Sequence, residues 1–353
     1  MIIKKIFSPA TSIISLFIII LFSNIGSKSD ENNIKYYSND EGILSIMYHR
    51  FNENKYPSTN IKIDIFKEHI DIIKNSNFNF LNPNNFEEQF NISKSKKKIL
   101  ITIDDAFESF YTNAWPYLKE NKIPFILFVS TEPVGKRGYM TWEQIKEVES
   151  MDFAYIGHHS HTHEYLIDVS KEEFVLDIET ANKIFLRELG YIPVLFSYPF
   201  GEYSKFMKDY ISKSFEYAFG QHSGVIDLNK DRFELPRFPI NEKYGDLKRF
   251  KSIINYFPLE YKKIIPEEKQ LFENTNPPNF KVEFFKEQKN LSNINCYSNE
   301  GDIWKKSKTS YANNSLTIEF REPFKPRRGR INCSLNDNGK WRWFGVQFPV
   351  KEN

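Results

Sequence analysis

Four of the seven histidines of this 353-residue chain stand in one six-residue window, "HHSHTH", at positions 158–163. His159 and His163 are four residues apart, so a helical turn or a tight loop can aim both imidazoles at one point. Two imidazoles make half of a metal site, since a catalytic zinc typically has three protein ligands and one open position. The window therefore predicts a metal site that needs a carboxylate from another part of the chain.

The segment "ITIDDAF" (101–107) supplies candidate carboxylates at the end of an apolar, strand-like run. Side chains of neighbouring residues diverge, so one of Asp104 and Asp105 can bind a metal while the other acts on water. This division suits metal-assisted hydrolysis, in which the ion acidifies water and the second carboxylate takes the proton. Such a pair also fits a plain helix N-cap. The His-x3-His unit further along the chain favours the hydrolytic interpretation.

The elements that must position these residues follow an alternating pattern. Short runs rich in aliphatic and aromatic residues predict buried strands: "ILSIM" (43–47), "KILITI" (98–103), "PFILFVS" (124–130), "DFAYIG" (152–157) and "VLFSY" (194–198). Between them, Thr141 with Gln144 and Ser170 with Glu173 predict helix starts of the capping-box type. The alternation predicts an α/β fold, either a distorted βα barrel of about seven strands or a doubly wound sheet. We favour the barrel, which would place the chemistry at the carboxyl ends of its strands.

The pattern changes after about residue 250. The segment "ENTNPPNF" (273–280) reads as part of a linker, and strand-like segments such as "GRINCSL" and "KWRWFGVQFPV" follow it, the two flanking an Asn-Gly hairpin signal. We therefore predict a βα-barrel domain over 41–250, a linker over 251–279 and a small antiparallel β domain over 280–353. Trp304, Trp341 and Trp343 of this domain can stack on sugar rings or serve strand packing, and packing is favoured.

The N-terminus has the layout of a secretory signal. Lys4 and Lys5 precede an apolar run from Ile13 to Phe22, and small and polar residues follow. The run is short for a membrane span, which needs about 20 residues. We predict that residues 1–27 are a signal peptide, with a membrane anchor as the alternative, and that the chain is exported to the periplasm or cell envelope.

Charge and cysteine content narrow the partners and the compartment. The chain has 48 basic and 46 acidic residues for a net charge of +2, so no overall field recruits nucleic acid or a membrane surface. Cys296 and Cys333 are the two cysteines. In an oxidising compartment they can form one disulfide, and two buried thiols are the alternative.

Two of these segments resemble the motifs of the polysaccharide deacetylases, the family-four carbohydrate esterases. "TIDDA" (102–106) is similar to their Thr-Phe-Asp-Asp-Gly motif with Ala106 in the glycine position, and "HSHTH" (159–163) matches their His-[Ser/Thr]-x-x-His motif. The resemblance implies that Asp104 is the catalytic base, and that Asp105, His159 and His163 hold a divalent metal, usually zinc. It gives His158 and His161 packing or supporting roles, whereas a different loop register would let either act as a ligand.

The third family motif resembles "FSYPFG" (196–201), with one departure. The resemblance implies that Tyr198, Pro199 and Phe200 line the substrate groove and that a backbone N–H near Phe200 helps to hold the oxyanion. Ser197 stands where the family has an arginine. Arg237 in "ELPRFPIN" is the candidate substitute, as in the family branch that acts on exported poly-N-acetylglucosamine.

The general acid must be found elsewhere, because the family's late Leu-x-His motif is missing. His49 closes the first predicted strand, where circularly permuted members of the family carry the moved motif. His222 is the alternative acid, with a hydrogen-bonded loop histidine as its other interpretation. The resemblance covers about residues 43–245.

Together these features predict an exported, metal-dependent hydrolase that removes N-acetyl groups from an N-acetylhexosamine-containing polysaccharide. The expected partner is the acetylated polysaccharide, and no nucleic acid is expected. The same site would also suit an O-acetyl polysaccharide esterase. Ser197, Ala106 and the aromatic β domain leave open a catalytically silent glycan-binding protein, and related barrels hydrolyse small cyclic amides.

Overall fold

The computed structural model describes residues 42–91, 97–227, 230–286, 288–325 and 327–351. The predicted signal peptide or anchor, residues 1–27, lies outside these ranges. Within them, none of the helices combines the length and the apolar character that a membrane crossing requires.

The first part of the chain alternates strands and helices, as predicted. Its strands are β1 (Ile43–Tyr48), β2 (Arg50–Phe51), β3 (Asn60–Ile61), β4 (Asn79–Phe80), β5 (Lys98–Asp104), β6 (Phe125–Val129), β7 (Ala154–His158), β8 (Leu195–Ser197), β9 (Tyr217–Phe219) and β10 (Phe238–Pro239). Its helices are α1 (Ile63–Lys74), α2 (Phe86–Asn91), α3 (Trp115–Asn121), α4 (Trp142–Glu149), α5 (Lys171–Leu189), α6 (Lys205–Ile211) and α7 (Leu247–Ile253).

The main sheet is parallel and strongly curved. Seven strands follow the order β10-β1-β5-β6-β7-β8-β9, and β4 adds an eighth beside the start of β5. The two edges of this sheet are joined because Leu235, just before β10, donates to the carbonyl of Ala218 in β9 and accepts from the N–H of Gly220. The predicted distorted βα barrel is confirmed, and the carboxyl ends of its strands share one rim.

Alternate residues of each barrel strand face opposite sides of the sheet. In β5, Ile99, Ile101 and Ile103 join the apolar cluster that packs against the helices, whereas Leu100 joins a second cluster made of residues from other barrel strands. Asp104 has the same parity as Leu100. The strand period therefore turns this carboxylate into the barrel at its upper rim.

Local sequence signals place the two best-defined helices. Thr141 and Gln144 form a complete capping box at the start of α4, and Ser170 and Glu173 form another at the start of α5. Gly190 ends α5 with φ of 83°, a conformation that glycine adopts without a Cβ clash. The predicted helix boundaries in this region are confirmed.

The C-terminal part is a sandwich of two sheets around its own core. Its strands are β11 (Phe257–Pro258), β12 (Lys263–Ile265), β13 (Lys281–Glu283), β14 (Asn295–Ser298), β15 (Lys305–Lys306), β16 (Lys308–Ala312), β17 (Ser315–Glu319), β18 (Arg327–Asp337) and β19 (Lys340–Val350). The sheet orders are β11-β19-β18-β14-β15 and β12-β13-β17-β16. Val282 and Leu316 from one sheet pack in the same apolar cluster as Phe344 and Phe348 from the other.

Part of the predicted linker over 251–279 belongs to this sandwich. β11 pairs with β19 and β12 pairs with β13, and Leu259 and Leu271 are buried in the sandwich core. The Pro-Pro segment that indicated a linker therefore lies within the β domain, between two of its strands. Composition alone could not reveal this, because the strands on either side are only three residues long.

The β18–β19 hairpin and one covalent bond fix the register of the longest strands. Asn338 and Gly339 form the two-residue turn with φ of 50° and 89°, which the Asn-Gly signal predicts. Cys296 of β14 lies opposite Cys333 of β18, and the two form a disulfide. Of the two alternatives for the cysteines, the bonded pair is the one that the structure contains.

His69 is a buried histidine of α1 whose ring nitrogens are both satisfied. Its Nε2 lies 2.8 Å from the carbonyl oxygen of Gly245, which can only accept, so Nε2 carries the proton. Nδ1 then accepts from the Tyr48 hydroxyl at 3.0 Å. The ring also stacks on Phe250, with 3.9 Å between centroids. Burial lowers the pKa of His69 to about 4.

This arrangement predicts an acid-sensitive contribution to stability. The folded protein takes up the His69 proton near pH 4 and the unfolded chain near 6.5, so the contribution is complete above pH 6.5 and is lost as the pH falls towards 4. At pH 4.5 the loss amounts to about 2.5 kcal/mol. Denaturant unfolding at pH 7 and pH 4.5 should show a smaller acid-induced loss for His69→Gln than for wild type. Equal losses in the two proteins would contradict this assignment.

Candidate active site

The predicted chemical residues meet at the carboxyl rim of the barrel. Asp104 ends β5 and Asp105 follows it, His159 follows β7, Ser197 ends β8 and His49 follows β1. These strands are neighbours in the parallel sheet, so their carboxyl ends open on the same side. Segments more than a hundred residues apart in sequence are thereby brought to one place.

Asp105, His159 and His163 form a cluster that fits a divalent metal. One donor atom from each lies within 4.8 Å of the other two. Asp105 Oδ1 is 3.3 Å from His159 Nε2 and 3.0 Å from His163 Nε2. Asp105 Oδ1 and His159 Nε2 are both buried without a hydrogen-bond partner in the described part of the chain. Buried polar atoms are rarely left in this state, so the donors suit a shared cation.

The hydrogen bond on the other side of His159 sets its tautomer. His159 Nδ1 lies 2.7 Å from the carbonyl oxygen of Ser197, an atom that only accepts. Nδ1 therefore carries the proton, and Nε2 presents its lone pair to the cluster. This is the orientation that metal-binding histidines adopt when a second hydrogen bond fixes their ring.

Strand parity separates His159 from its neighbour His158. His159 turns to the barrel interior, whereas His158 faces the helices and packs against Phe185 and Phe215. Burial lowers the pKa of His158 to about 3. His161 contacts the Thr131 hydroxyl through Nδ1 at 2.7 Å. His158 and His161 thus have packing and supporting contacts, in agreement with the expectation from the resemblance.

An aspartate of α5 holds the loop between His159 and His163. Asp177 accepts from the backbone N–H groups of His161 and Thr162 and from the Thr162 hydroxyl. The N–H of His163 donates to the Ser160 hydroxyl at 3.2 Å. Sequence reasoning did not identify Asp177. The available signal was a carboxylate on the buried face of α5.

Several residues of the site have a left-handed backbone conformation. Asp105, Ala106, Ser160, His163 and Phe200 all have φ between 51° and 75°. Each such residue that is not glycine costs about 1 kcal/mol or more, so the surroundings must hold it. The φ of 51° at Ala106 also explains why the resembling motif has glycine there.

Asp104 is held by a fully satisfied buried arginine. Arg237 Nη1 and Nη2 donate to the two carboxylate oxygens of Asp104 at 2.7 and 2.8 Å. The other three N–H groups donate to Thr102 Oγ1, Ser197 Oγ and the carbonyl oxygen of Gly220. All five donors of the guanidinium are therefore used. Burial by itself raises the pKa of Asp104, but Arg237 and then His159 bring it below its ordinary value.

A cavity of about 600 Å³ opens above the cluster. Asp105, His163, His49, His222 and Phe200 line it. Tyr198 and Pro199, which the resemblance placed along the groove, are buried and are not among the residues that line this cavity. The Tyr198 hydroxyl donates to the carbonyl of Phe233, and its ring packs against Phe196 and Tyr203. These two residues shape the turn that brings Phe200 to the cavity.

The two candidate acids lie in different electrostatic surroundings. Burial lowers the pKa of His49, whereas the charges of Asp105 and then Asp104 raise it. Burial also lowers the pKa of His222, to about 4, and Glu234 raises it in part. His49 is thus the candidate that faces the carboxylates of the cluster.

The β domain forms one wall of this cavity. Arg328, Arg330, Trp343 and Trp304 line it together with the barrel residues. Gln347 of β19 also donates to the backbone carbonyls of Phe200 and Gly201, at 3.1 and 3.2 Å. Sequence reasoning did not assign this domain to the site. No local pattern marks Gln347, whose partners lie almost 150 residues earlier.

Comparison with known families and proteins gives consistent matches. Residues 91–219 match the family model for Polysaccharide deacetylase. The chain is 22% identical over 248 residues to the Poly-beta-1,6-N-acetyl-D-glucosamine N-deacetylase of Staphylococcus aureus strain MSSA476. This alignment covers 62% of this chain and 86% of the relative.

Solved structures share the fold. The Streptococcus pyogenes deacetylase PplD in complex with acetate superposes with a TM-score of 0.56 and 19% identity, covering 61% of this chain and 99% of that chain. IcaB from Ammonifex degensii gives a TM-score of 0.54 and 22% identity, covering 61% of this chain and 97% of that chain. Both alignments leave a large part of this chain unmatched.

The cluster predicts specific metal binding. After treatment with a chelator, the protein should bind Zn²⁺ with a stoichiometry of one, and His163→Ala should weaken binding by more than about 100-fold, since even residues that only support ligands contribute about 10–100-fold. Isothermal titration calorimetry measures both. His161→Ala is the matched control, because His161 lies two residues away and outside the cluster. Wild-type affinity in His163→Ala would exclude this site.

Proposed function

Because the chain carries a polysaccharide deacetylase domain and is a hydrolase of the deacetylase class, we propose that it removes N-acetyl groups from an N-acetylhexosamine-containing polysaccharide with a divalent metal, Zn²⁺, as cofactor. The observation that carries the proposal is the cluster of Asp105, His159 and His163 beside an Asp104 that Arg237 holds in the same buried region. Such a pairing of metal donors with a separate carboxylate suits hydrolysis.

Asp105, His159 and His163 would hold the metal through the atoms that face one another. When bound, the ion supplies Lewis-acid chemistry, acidifying water and polarising the acetyl carbonyl. The Nδ1–H bond of His159 to Ser197 keeps its ring in place for this task.

Asp104 is the proposed general base. Its Oδ2 lies 3.9 Å from His159 Nε2, so it adjoins the cluster without belonging to it. Its lowered pKa keeps it ionised at neutral pH, ready to accept a proton. Arg237 holds both carboxylate oxygens and so limits the directions from which a proton can arrive.

His49 is the proposed general acid that protonates the leaving amine. It lines the cavity and faces the charges of Asp105 and Asp104. The backbone N–H of Phe200, which also lines the cavity, is proposed to donate to the oxyanion of the transition state. Tyr198 and Pro199 support that position by forming the buried turn below it.

The polysaccharide and the location are proposed from two further features. The Staphylococcus aureus relative is named for poly-β-1,6-N-acetyl-D-glucosamine, and the cavity here offers the aromatic faces of Trp304, Trp343 and Tyr256, which suit sugar rings. Residues 1–27, with their charged start and apolar run, support export to the periplasm or cell envelope.

The central experiment measures acetate release from N-acetylglucosamine oligomers, with acetylated xylan beside them to detect an O-acetyl esterase. Asp104→Asn should lower kcat/KM by about 1000-fold while Zn²⁺ binding persists, because the base is lost and the ligands remain. His49→Ala should lower kcat/KM by about 10–100-fold, and a chelator should abolish the activity of the wild-type protein.

His222→Ala is the matched control for the acid, since His222 lines the same cavity away from the cluster. It should retain most activity. A larger loss in His222→Ala than in His49→Ala would reverse the assignment of the acid. Equal rates of acetate release by wild type and Asp104→Asn would contradict the proposed mechanism. Acetate release from acetylated xylan alone would show that the protein is an O-acetyl esterase.

A paired substitution tests the relocated arginine. Arg237→Ser should lower kcat/KM by more than about 100-fold, since it leaves Asp104 buried without its partner. Arg237 donates to Ser197 Oγ at 2.8 Å, so the two side chains are in direct contact and an arginine at position 197 would lie close to the place of the native guanidinium. Ser197→Arg combined with Arg237→Ser should therefore recover at least about 10-fold of the loss. A folded double variant as inactive as Arg237→Ser would show that the guanidinium cannot act from position 197.

A further inference from the structure

The charges on the cavity wall are unbalanced. Three arginines line the cavity, Arg249, Arg328 and Arg330, and Asp105 is the one acidic side chain among the described lining residues. Asp105 faces His159 and His163 and is committed to the cluster. Apart from Asp105, the charged side chains among the described lining residues are therefore all arginines.

One of the three arginines is neutralised within the protein. Arg328 donates from Nε to the buried carboxylate of Glu202 at 2.7 Å. The neighbouring Arg327, which does not line the cavity, pairs with Asp168 at 2.5 Å. Both pairs join β18 to barrel loops, so these two arginines have structural partners.

Arg249 and Arg330 have no such partner in the described part of the chain. Arg330 donates from Nε to the neutral amide oxygen of Gln347 at 3.2 Å. Arg249 donates from Nη1 to the backbone carbonyl of Tyr244. Asp246 is close to Arg249, but its carboxylate accepts from the backbone N–H of Arg249 as a helix cap. Neither guanidinium forms an ion pair there, although both line the cavity.

The surroundings make this unpaired charge costly. Burial, and then the like charge of Arg328, lower the pKa of Arg330 to about 10. Burial also lowers the pKa of Arg249. Partly buried cations normally have a charged partner. An anion in the cavity would provide it.

Aromatic side chains frame the same wall. Tyr256 and Trp343 stack with 5.1 Å between centroids and an angle of 4°, and Arg249 lies 5.2 Å from the ring centroid of Tyr244. Trp304 is 41% exposed at the cavity. Flat faces for sugar rings therefore adjoin fixed donors for an anion.

We propose that Arg249 and Arg330 form a subsite for an anionic group, a carboxylate or a phosphate ester, on a sugar linked to the N-acetylated sugar that reacts. This inference rests on the proposed function and names the substrate class as an acidic N-acetylated glycan. The same charges disfavour a neighbouring sugar whose amine is already free and protonated.

The test compares kcat/KM for acetate release from three matched N-acetylglucosamine oligosaccharides: a neutral one, one with alternating uronates and one bearing phosphate esters. Wild type should favour an acidic oligosaccharide over the neutral one by about 10-fold or more, because hydrogen bonds between charged partners are about twice as strong as neutral ones. Arg249→Gln and Arg330→Gln should each lower this ratio by about 10-fold, and Arg330→Lys should lower it less. The acidic substrate that shows the effect identifies the group.

Arg187→Gln is the matched control, because Arg187 lies on α5 with a side chain that is 67% exposed. It should keep the wild-type ratio. If the Gln variants lose kcat/KM equally on neutral and acidic substrates, the subsite proposal is contradicted. Arg330 would then act through Gln347 and the Phe200 turn. A wild-type ratio near one would also overturn it.

Calorimetric measurement of the binding of the uronate oligosaccharide distinguishes failure of the anionic subsite from failure of the proposed deacetylase function. If no substrate releases acetate but the oligosaccharide binds and Arg249→Gln weakens binding by about 10-fold, the proposed function fails and the subsite stands. If acetate is released without preference for acidic substrates, the proposed function stands and the subsite fails.

Discussion

The fully buried pair of Arg237 and Asp104 is the interaction on which the rest of the structure depends. A buried charge is tolerated only when its partners are complete, and removing one side of such a pair costs about 3–5 kcal/mol. Here five N–H donors meet acceptors in β5, at the end of β8 and just after β9. The same bonds therefore tie together the strands at the closing edge of the barrel and fix the carboxylate beside the metal donors.

Much of this site follows from the sequence because it depends on strand periodicity. The apolar run that ends in Asp104 and Asp105 defines both the strand and its rim, and the parallel order brings that rim to His159. Parity then distinguishes His159 from His158, but parity requires the strand register, which a window of four histidines does not reveal. Arg237 was a candidate because an arginine was missing at position 197. Its five partners became evident only with the fold.

The remaining features depend on contacts between distant segments that leave no local pattern. Tyr198 looks like a groove residue from its motif, yet the three-residue strand β8 turns it into the core. Gln347 and Arg330 reach the site because the β sandwich packs on the barrel, and β11 and β12 were hidden in a segment of linker composition. Asp177 required knowing which face of α5 is buried.

The β domain and the barrel thus cannot be treated as a catalytic unit with an attachment. Phe200 has φ of 58° and contacts His163 with 4.8 Å between ring centroids. Its left-handed turn is held from below by the buried Tyr198 and from the side by Gln347 of β19. The β domain, which also supplies Arg330 and Trp343 to the cavity, therefore contributes directly to the stability of this strained turn. The geometry of the Asp105–His159–His163 cluster and the lining of the cavity are therefore coupled through one interface.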